Sequence, residues 1–137
     1  MKTEHAGAYA QTTRQITVTV DPIFLEEESN PDAGLFFWAY HVVIHNNGND
    51  TVQLLSRYWR ITNALGAVQE VRGEGVVGEQ PVLEPGAGFE YTSGTPLTTS
   101  SGIMGGTYQL KSSEGHLFDI GIPTFSLDSP YEGHAVN

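Results

Sequence analysis

The sequence predicts an all-β fold, and three observations carry the prediction. Apolar residues alternate with polar ones at a period of two in segment after segment. The helical spacing of apolar residues is nowhere sustained. Glycine, proline, asparagine and aspartate cluster between the alternating segments, where turns are needed.

The elements follow in order. Ile16, Val18 and Val20 alternate with Gln15, Thr17 and Thr19, which describes a half-buried strand. Glu26-Glu27-Glu28-Ser29-Asn30-Pro31-Asp32 then reads as an irregular exposed loop. Phe36, Trp38, Tyr40, Val42 and Ile44 share one face of a longer strand, with Phe37, Ala39, His41, Val43 and His45 on the other. That composition predicts a central strand covered on much of both sides. Asn46-Asn47-Gly48-Asn49-Asp50 ends it, because these residues tolerate left-handed backbone. A third strand spans about Val52 to Thr62, with Leu55, Trp59 and Ile61 on one face. Asn63-Ala64-Leu65-Gly66 turns it into a short strand from Ala67 to Arg72.

Further strands are expected at Phe89–Thr92, Gly106–Lys111 and Leu117–Ile122, with Ser112-Ser113-Glu114-Gly115 as a turn. Apolar parity switches after Ile122, from even (Phe118, Ile120, Ile122) to odd (Phe125, Leu127). Pro123 at the switch implies a bulge or a change of sheet. Seven to eight short strands spaced this way predict an immunoglobulin/fibronectin type III-like β-sandwich. Tyr108 is a candidate tyrosine corner.

With 137 residues and 39% of them hydrophobic, the chain suits one domain with a packed core. That domain is expected to span residues 1–137, ordered over about 12–127, with a flexible N-terminal segment and a flexible tail from Asp128 to Asn137. The absence of cysteine excludes disulfides, thiolate metal sites and a cysteine nucleophile, and it suits a reducing cytoplasm. No apolar run follows Lys2 as in a secretory signal, and no stretch approaches the ~20 apolar residues of a membrane span. Six basic residues against sixteen acidic ones leave a formal charge of −10, which disfavours nucleic acid and anionic membranes as general partners.

Several stretches, in this order, carry a family resemblance: Arg57-Tyr58-Trp59-Arg60-Ile61-Thr62-Asn63; Gly73-Glu74-Gly75-Val76-Val77-Gly78 with Glu79-Gln80-Pro81; Pro85-Gly86, Phe89 and Tyr91-Thr92-Ser93-Gly94; Met104-Gly105-Gly106-Thr107-Tyr108; and Phe118, Ile122-Pro123 and Phe125. Across roughly Thr12 to Leu127 the chain resembles the ApaG family. The resemblance implies a fibronectin type III-like sandwich and a bacterial cytosolic protein associated with cobalt resistance and magnesium efflux. It also implies a protein-binding role, since similar domains occur in larger eukaryotic proteins. His41 departs from the small polar residue expected there, so no family role is carried to it.

Two candidate binding segments emerge. Gly73-x-Gly75-x-x-Gly78 matches a dinucleotide-binding pattern by letter, but that motif needs a following helix to hold a pyrophosphate. Pro81 and Pro85 preclude the helix, and Glu74 and Glu79 put negative charge where phosphate would sit. What survives is a glycine-rich loop whose exposed amides offer an anion nest without a helix. Arg57 shares parity with Leu55, Trp59 and Ile61, so an unbroken strand points it at the core. It must therefore be paired, reach the rim along Trp59, or sit beside a bulge. Read as a binding feature, Arg57, Tyr58, Trp59, Arg60 and Arg72 form a basic-aromatic patch.

No metal site is implied. His41 and His45 lie roughly 13 Å apart along a strand, too far to share an ion held at about 2.0–2.1 Å. The acidic run Glu26–Glu28 with Asp32 reads as a solvated loop. No nucleophile elbow, zinc-hydrolase helix or phosphate-binding lysine loop is present, so no catalytic residue and no cofactor is assigned. The expected function is a non-enzymatic interaction module for a protein partner. The alternative is a small-ligand site for pyrophosphate, a nucleotide or a dinucleoside polyphosphate at the glycine-rich loop.

Overall fold

Period-two alternation is realised as two antiparallel sheets in a computed structural model, which describes residues 8–131. The order is β1 (Tyr9–Thr13), β2 (Ile16–Phe24), β3 (Phe36–Asn46), β4 (Val52–Asn63), β5 (Val68–Glu74), β6 (Val82–Leu83), β7 (Gly88–Leu97), β8 (Gly102–Ser112) and β9 (Leu117–Leu127). One sheet runs β1-β2-β3-β7 and the other β5-β4-β8-β9, with β6 paired to β4 beyond the end of β5. The inner faces enclose a β-sandwich core. Among the described residues the helical content is one 3-10 turn, Pro31–Ala33, and no helix is long and apolar enough to cross a membrane.

The inward rows are those the alternation picks out. Ile16, Val18 and Val20 of β2 and the even residues Phe36 to Ile44 of β3 are buried. They face Trp59, Tyr108 and Phe125 from the opposite sheet, with Trp59 edge-on to Tyr40 at 5.2 Å and to Phe125 at 6.1 Å between ring centroids. Such tilted contacts add to area burial because ring edges and faces carry opposite partial charge.

Several expectations need correction. Nine strands stand among the described residues where seven to eight are predicted, because β1 and the two-residue β6 carry no alternation to reveal them. β1 pairs with β2 through a two-residue turn at Arg14 and Gln15, both left-handed at φ 52° and 68°. Hairpins favour that backbone, but it normally appears as Asn-Gly, so the sequence hides the turn. Among the described residues no further layer covers the outer face of β3; Phe37, Ala39, His41, Val43 and His45 are half-buried among their cross-strand neighbours. Tyr108 is no tyrosine corner, since its hydroxyl pairs in the core with that of Tyr91 at 2.5 Å rather than with backbone.

Two bulges resolve the parity puzzles. Leu54 faces Leu110 and Ser56 faces Gln109, so Leu55 is the extra residue in β4. Val52 and Leu54 before it, and Trp59 and Ile61 after it, therefore all point inward, and Leu55 does not belong to their row. Met104 faces Phe125 while Gly106 faces Ile122, which places a bulge at Pro123 and Thr124. β9 thus stays in one sheet and still buries Ile120, Ile122, Phe125 and Leu127.

The flexible tail expected from Asp128 begins with anchored residues. Trp38 Nε1 donates to the Asp128 carbonyl at 2.8 Å, and the Tyr131 ring packs on Phe24 and Phe36. Residues 1–7 and 132–137 lie outside the described residues.

Candidate functional site

The first bulge decides where Arg57 goes. With parity reset at Leu55, Arg57 joins the inward row of Trp59, opposite Gly73 on β5 and Tyr108 on β8. Its guanidinium passes across Gly73, where an added Cβ would stand 2.7 Å from Nη1. Nη1 then donates to the carbonyls of Glu74 at 3.1 Å and Gly75 at 3.0 Å. The charge is thus paired with backbone dipoles at the sheet edge, a solution distinct from a carboxylate partner. It also pulls down the pKa values of Tyr40, Tyr91 and Tyr108, but burial dominates and all three phenols are raised.

The glycine-rich segment is built around the same clamp. Gly75 donates to the Leu55 carbonyl at 2.8 Å. Val76 and Glu79 exchange both backbone hydrogen bonds, at 2.8 and 2.9 Å, around a turn with Val77 at φ 42° and Gly78 at φ 85°. Val76 is fully buried and joins the core. Gly75 (φ 65°) must be glycine twice over, since a Cβ there would also meet the Glu79 carbonyl at 2.3 Å. The amide of Gly75 is therefore taken up by β4 and those of Val76 and Glu79 by each other, and the nest that a pyrophosphate needs loses these donors. The segment serves as a plug, with Val76 as its stopper.

The predicted basic-aromatic patch is divided by the pleat. Arg57 and Trp59 point inward, whereas Tyr58, Arg60 and Arg72 stand on the outer face of the β5-β4-β8-β9 sheet. There Tyr58 faces Arg72 across the hairpin. The Arg72 guanidinium carbon lies 4.4 Å from the Tyr58 ring centroid, and the Tyr58 hydroxyl donates to Glu70 Oε2 at 2.6 Å. This hydrogen bond to a carboxylate is the main reason the Tyr58 phenol is raised above its usual pKa. Two open depressions flank Tyr58. One, of about 400 Å³, brings Arg57 and Gly73 at the sheet edge together with Tyr58, Arg72 and Glu74, and is closed by Thr107 and Asp119. The other, of about 190 Å³, is floored by Gly105 and Gly106 beside Arg60 and Thr124. Gly106 lets β8 approach β4 closely, since a Cβ there would stand 1.9 Å from the Tyr58 carbonyl.

Glu70, Thr107 and Asp119 were not singled out by the sequence. Glu70 was within reach of it: the hairpin at Asn63–Gly66 sets Thr62 against Val68, and counting back puts Tyr58 opposite Arg72 and Glu70 opposite Arg60, one diagonal step from Tyr58. His41 and His45 lie elsewhere. His41 contacts Thr92 Oγ1 at 2.8 Å and Glu90 Oε1 at 3.0 Å on the outer face of the other sheet, and His45 contacts Asn47 Oδ1 at 2.6 Å. Among the described residues no group of three or more His, Cys, Asp or Glu is arranged to hold a metal ion.

An ApaG domain model matches residues 26–112, which span the clamp, the plug and the Tyr58 face. The chain belongs to the ApaG family. Protein ApaG of Paramagnetospirillum magneticum is 60% identical over 129 residues, covering 94% of this chain and 99% of that protein. Protein ApaG of a Bradyrhizobium species is 62% identical over 128 residues, covering 93% and 98%. The crystal structure of the putative ApaA protein from Bordetella pertussis superposes with a TM-score of 0.82 at 47% identity, covering 84% of this chain and 94% of that one. ApaG-family membership and the sandwich architecture thus agree with the reading of the sequence.

Proposed function

We propose that this ApaG-family chain is a non-enzymatic protein-interaction module, and that it docks its partner on the outer face of the β5-β4-β8 sheet. The observation that carries the reading is the held state of Tyr58, with Arg72 over its ring and Glu70 on its hydroxyl. Tyrosine and arginine dominate binding energy at interfaces, and fixing them before contact lowers the ordering cost of association. The face also collects cations in an acidic protein. Arg60, Arg72 and Lys111, three of the six basic residues, project from it, and they suit acidic or hydroxyl-bearing side chains of a partner. The open depressions on either side match a protein contact better than an enclosed small-molecule pocket. Phosphate is further disfavoured by Glu74 and Asp119, which border the larger one.

On this reading the module works in the cytoplasm, and the cobalt and magnesium association implied by family resemblance acts through the bound partner. The test compares immobilised wild type with Tyr58→Ala and Arg72→Ala, and with His41→Ala on the opposite sheet as control, for proteins retained from a cell extract. Retention lost in the first two and kept in the control supports the docking face. Retention that survives both, or that fails equally in all three, overturns it. A titration with a dinucleoside polyphosphate, followed by backbone amide NMR, separates the small-ligand alternative. Saturable shifts confined to Gly73–Gly78 and Arg57–Arg60 would favour that alternative over docking.

A further inference from the structure

Among the described residues β5 ends its sheet with no strand beyond it, and its backbone pattern shows which groups it offers. Asn63 donates to the Ala67 carbonyl at 3.0 Å and Gly75 to the Leu55 carbonyl at 2.8 Å. Antiparallel pairs alternate between bonded and non-bonded, so the odd residues of β5 are the ones bonded to β4. The N–H and C=O groups of Val68, Glu70 and Arg72 therefore point out of the sheet, and among the described residues no backbone hydrogen bond reaches them. At Glu74 the free stretch stops, because Arg57 reaches across Gly73 and caps the Glu74 carbonyl.

We propose that β5 pairs antiparallel with β5 of a second copy, about a two-fold axis through Val71. This register is self-complementary in charge. Residue numbers facing each other then add to twice that of Val71, so Glu70 faces the second copy's Arg72, and Arg72 faces its Glu70. Centring the axis on Glu70 or on Arg72 instead would put two like charges opposite one another at the axis, which is destabilising in cross-strand pairs. The outward amides of Glu70 and Arg72 become the bonded pairs of the new ladder, as the alternation requires. A second feature lies on the same flank: an apolar groove of about 400 Å³ lined by Leu35, Ile61, Val68, Pro96 and Leu97. Leu35 and Val68 are 44% and 47% exposed there, and a second copy would cover this apolar surface. A contact of this kind joins the two β5-β4-β8-β9 sheets into one and sets two Tyr58 faces side by side. The inference stands on the strand edge and does not depend on the docking role of that face.

The test is sedimentation of the full chain from micromolar to millimolar concentration. Wild type is expected to rise with concentration from 14.9 kDa toward twice that mass. Glu70→Arg and Arg72→Glu each turn two attractive pairs into two repulsive ones and should weaken self-association at least about tenfold. Mixing the two single variants, or combining both changes in one chain, restores opposite charges and should restore the dimer. Circular dichroism checks that each exposed substitution leaves the fold intact. A chain that stays monomeric throughout overturns the proposal. So does a dimer indifferent to both single variants, since that would place the contact on another surface.

Discussion

Arg57→Ala tests the central piece of this architecture. The substitution removes two hydrogen bonds from a charged donor to the Glu74 and Gly75 carbonyls. A hydrogen bond to a charged group contributes about 1.5–3 kcal/mol, and the lower end applies here because Arg57 is only half-buried and water can reach the freed carbonyls. The stem also leaves its packing, so the expected loss is ~2–3 kcal/mol in urea unfolding followed by tryptophan fluorescence. Arg57→Lys keeps the charge but replaces the planar fork with a point donor, and should recover about half. The decisive measurement is a double-mutant cycle with Gly73→Ala. In the wild-type background the new methyl must displace the guanidinium lying 2.7 Å away. In the Arg57→Ala background that obstacle is gone, so the same change should cost less by at least roughly 1 kcal/mol. Amide exchange at Val76 and Glu79 should speed up in Arg57→Ala, because the plug has lost its clamp. A loss below about 0.5 kcal/mol, or additive behaviour in the cycle, would refute the clamp.

Two further effects follow from groups outside the docking face. Tyr91→Phe and Tyr108→Phe each leave the other hydroxyl unpaired in the core and should each cost about 1–3 kcal/mol. The double variant should cost clearly less than the sum, measured by the same unfolding assay, since no orphaned hydroxyl remains. The Asp50 carboxyl is held below its ordinary value of about 3.9, first by the Ser113 hydroxyl and then by the Ser113 amide. A group depressed in the folded state stabilises the protein above its unfolded pKa, and that contribution is lost as pH falls through the folded one. Carboxyl NMR should show Asp50 titrating below about 3.9 in wild type and nearer that value in Ser113→Ala.

Much of the fold was legible because alternation reports burial directly. β3 appears at nearly its observed limits and β2 at its start, though β2 runs on past Val20 to Phe24, and the Asn63–Gly66 hairpin carries its own cap, with Asn63 Oδ1 accepting from Leu65 and Ala67. The parity switch at Pro123 located a bulge that the structure contains. The bulge at Leu55 had no such mark. Serine and arginine after it leave the apolar pattern readable either way, so Leu55 was placed with Trp59 and Ile61. β1 was invisible because Tyr9-Ala10-Gln11-Thr12-Thr13 has no apolar face of its own. It is held by pairing with β2 and by packing on β9, where Gly121 donates to Thr13 Oγ1 at 3.2 Å.

The site divides along the same line. The residues of interest were visible as types: glycines where side chains do not fit, an arginine on an apolar row, and a tyrosine between arginines. Their roles were not, because a role depends on which groups meet across strands far apart in sequence. Arg57 and Tyr58 are neighbours in the chain, yet the pleat sends one to clamp the Val76 plug and the other to the open face with Arg72 and Glu70. The sequence by itself determined the sandwich and the family, since both rest on local periodicity and on motifs in order. Tertiary structure decided that the glycine-rich loop closes on itself, because only there do the Leu55 carbonyl and the Arg57 guanidinium take up its polar groups.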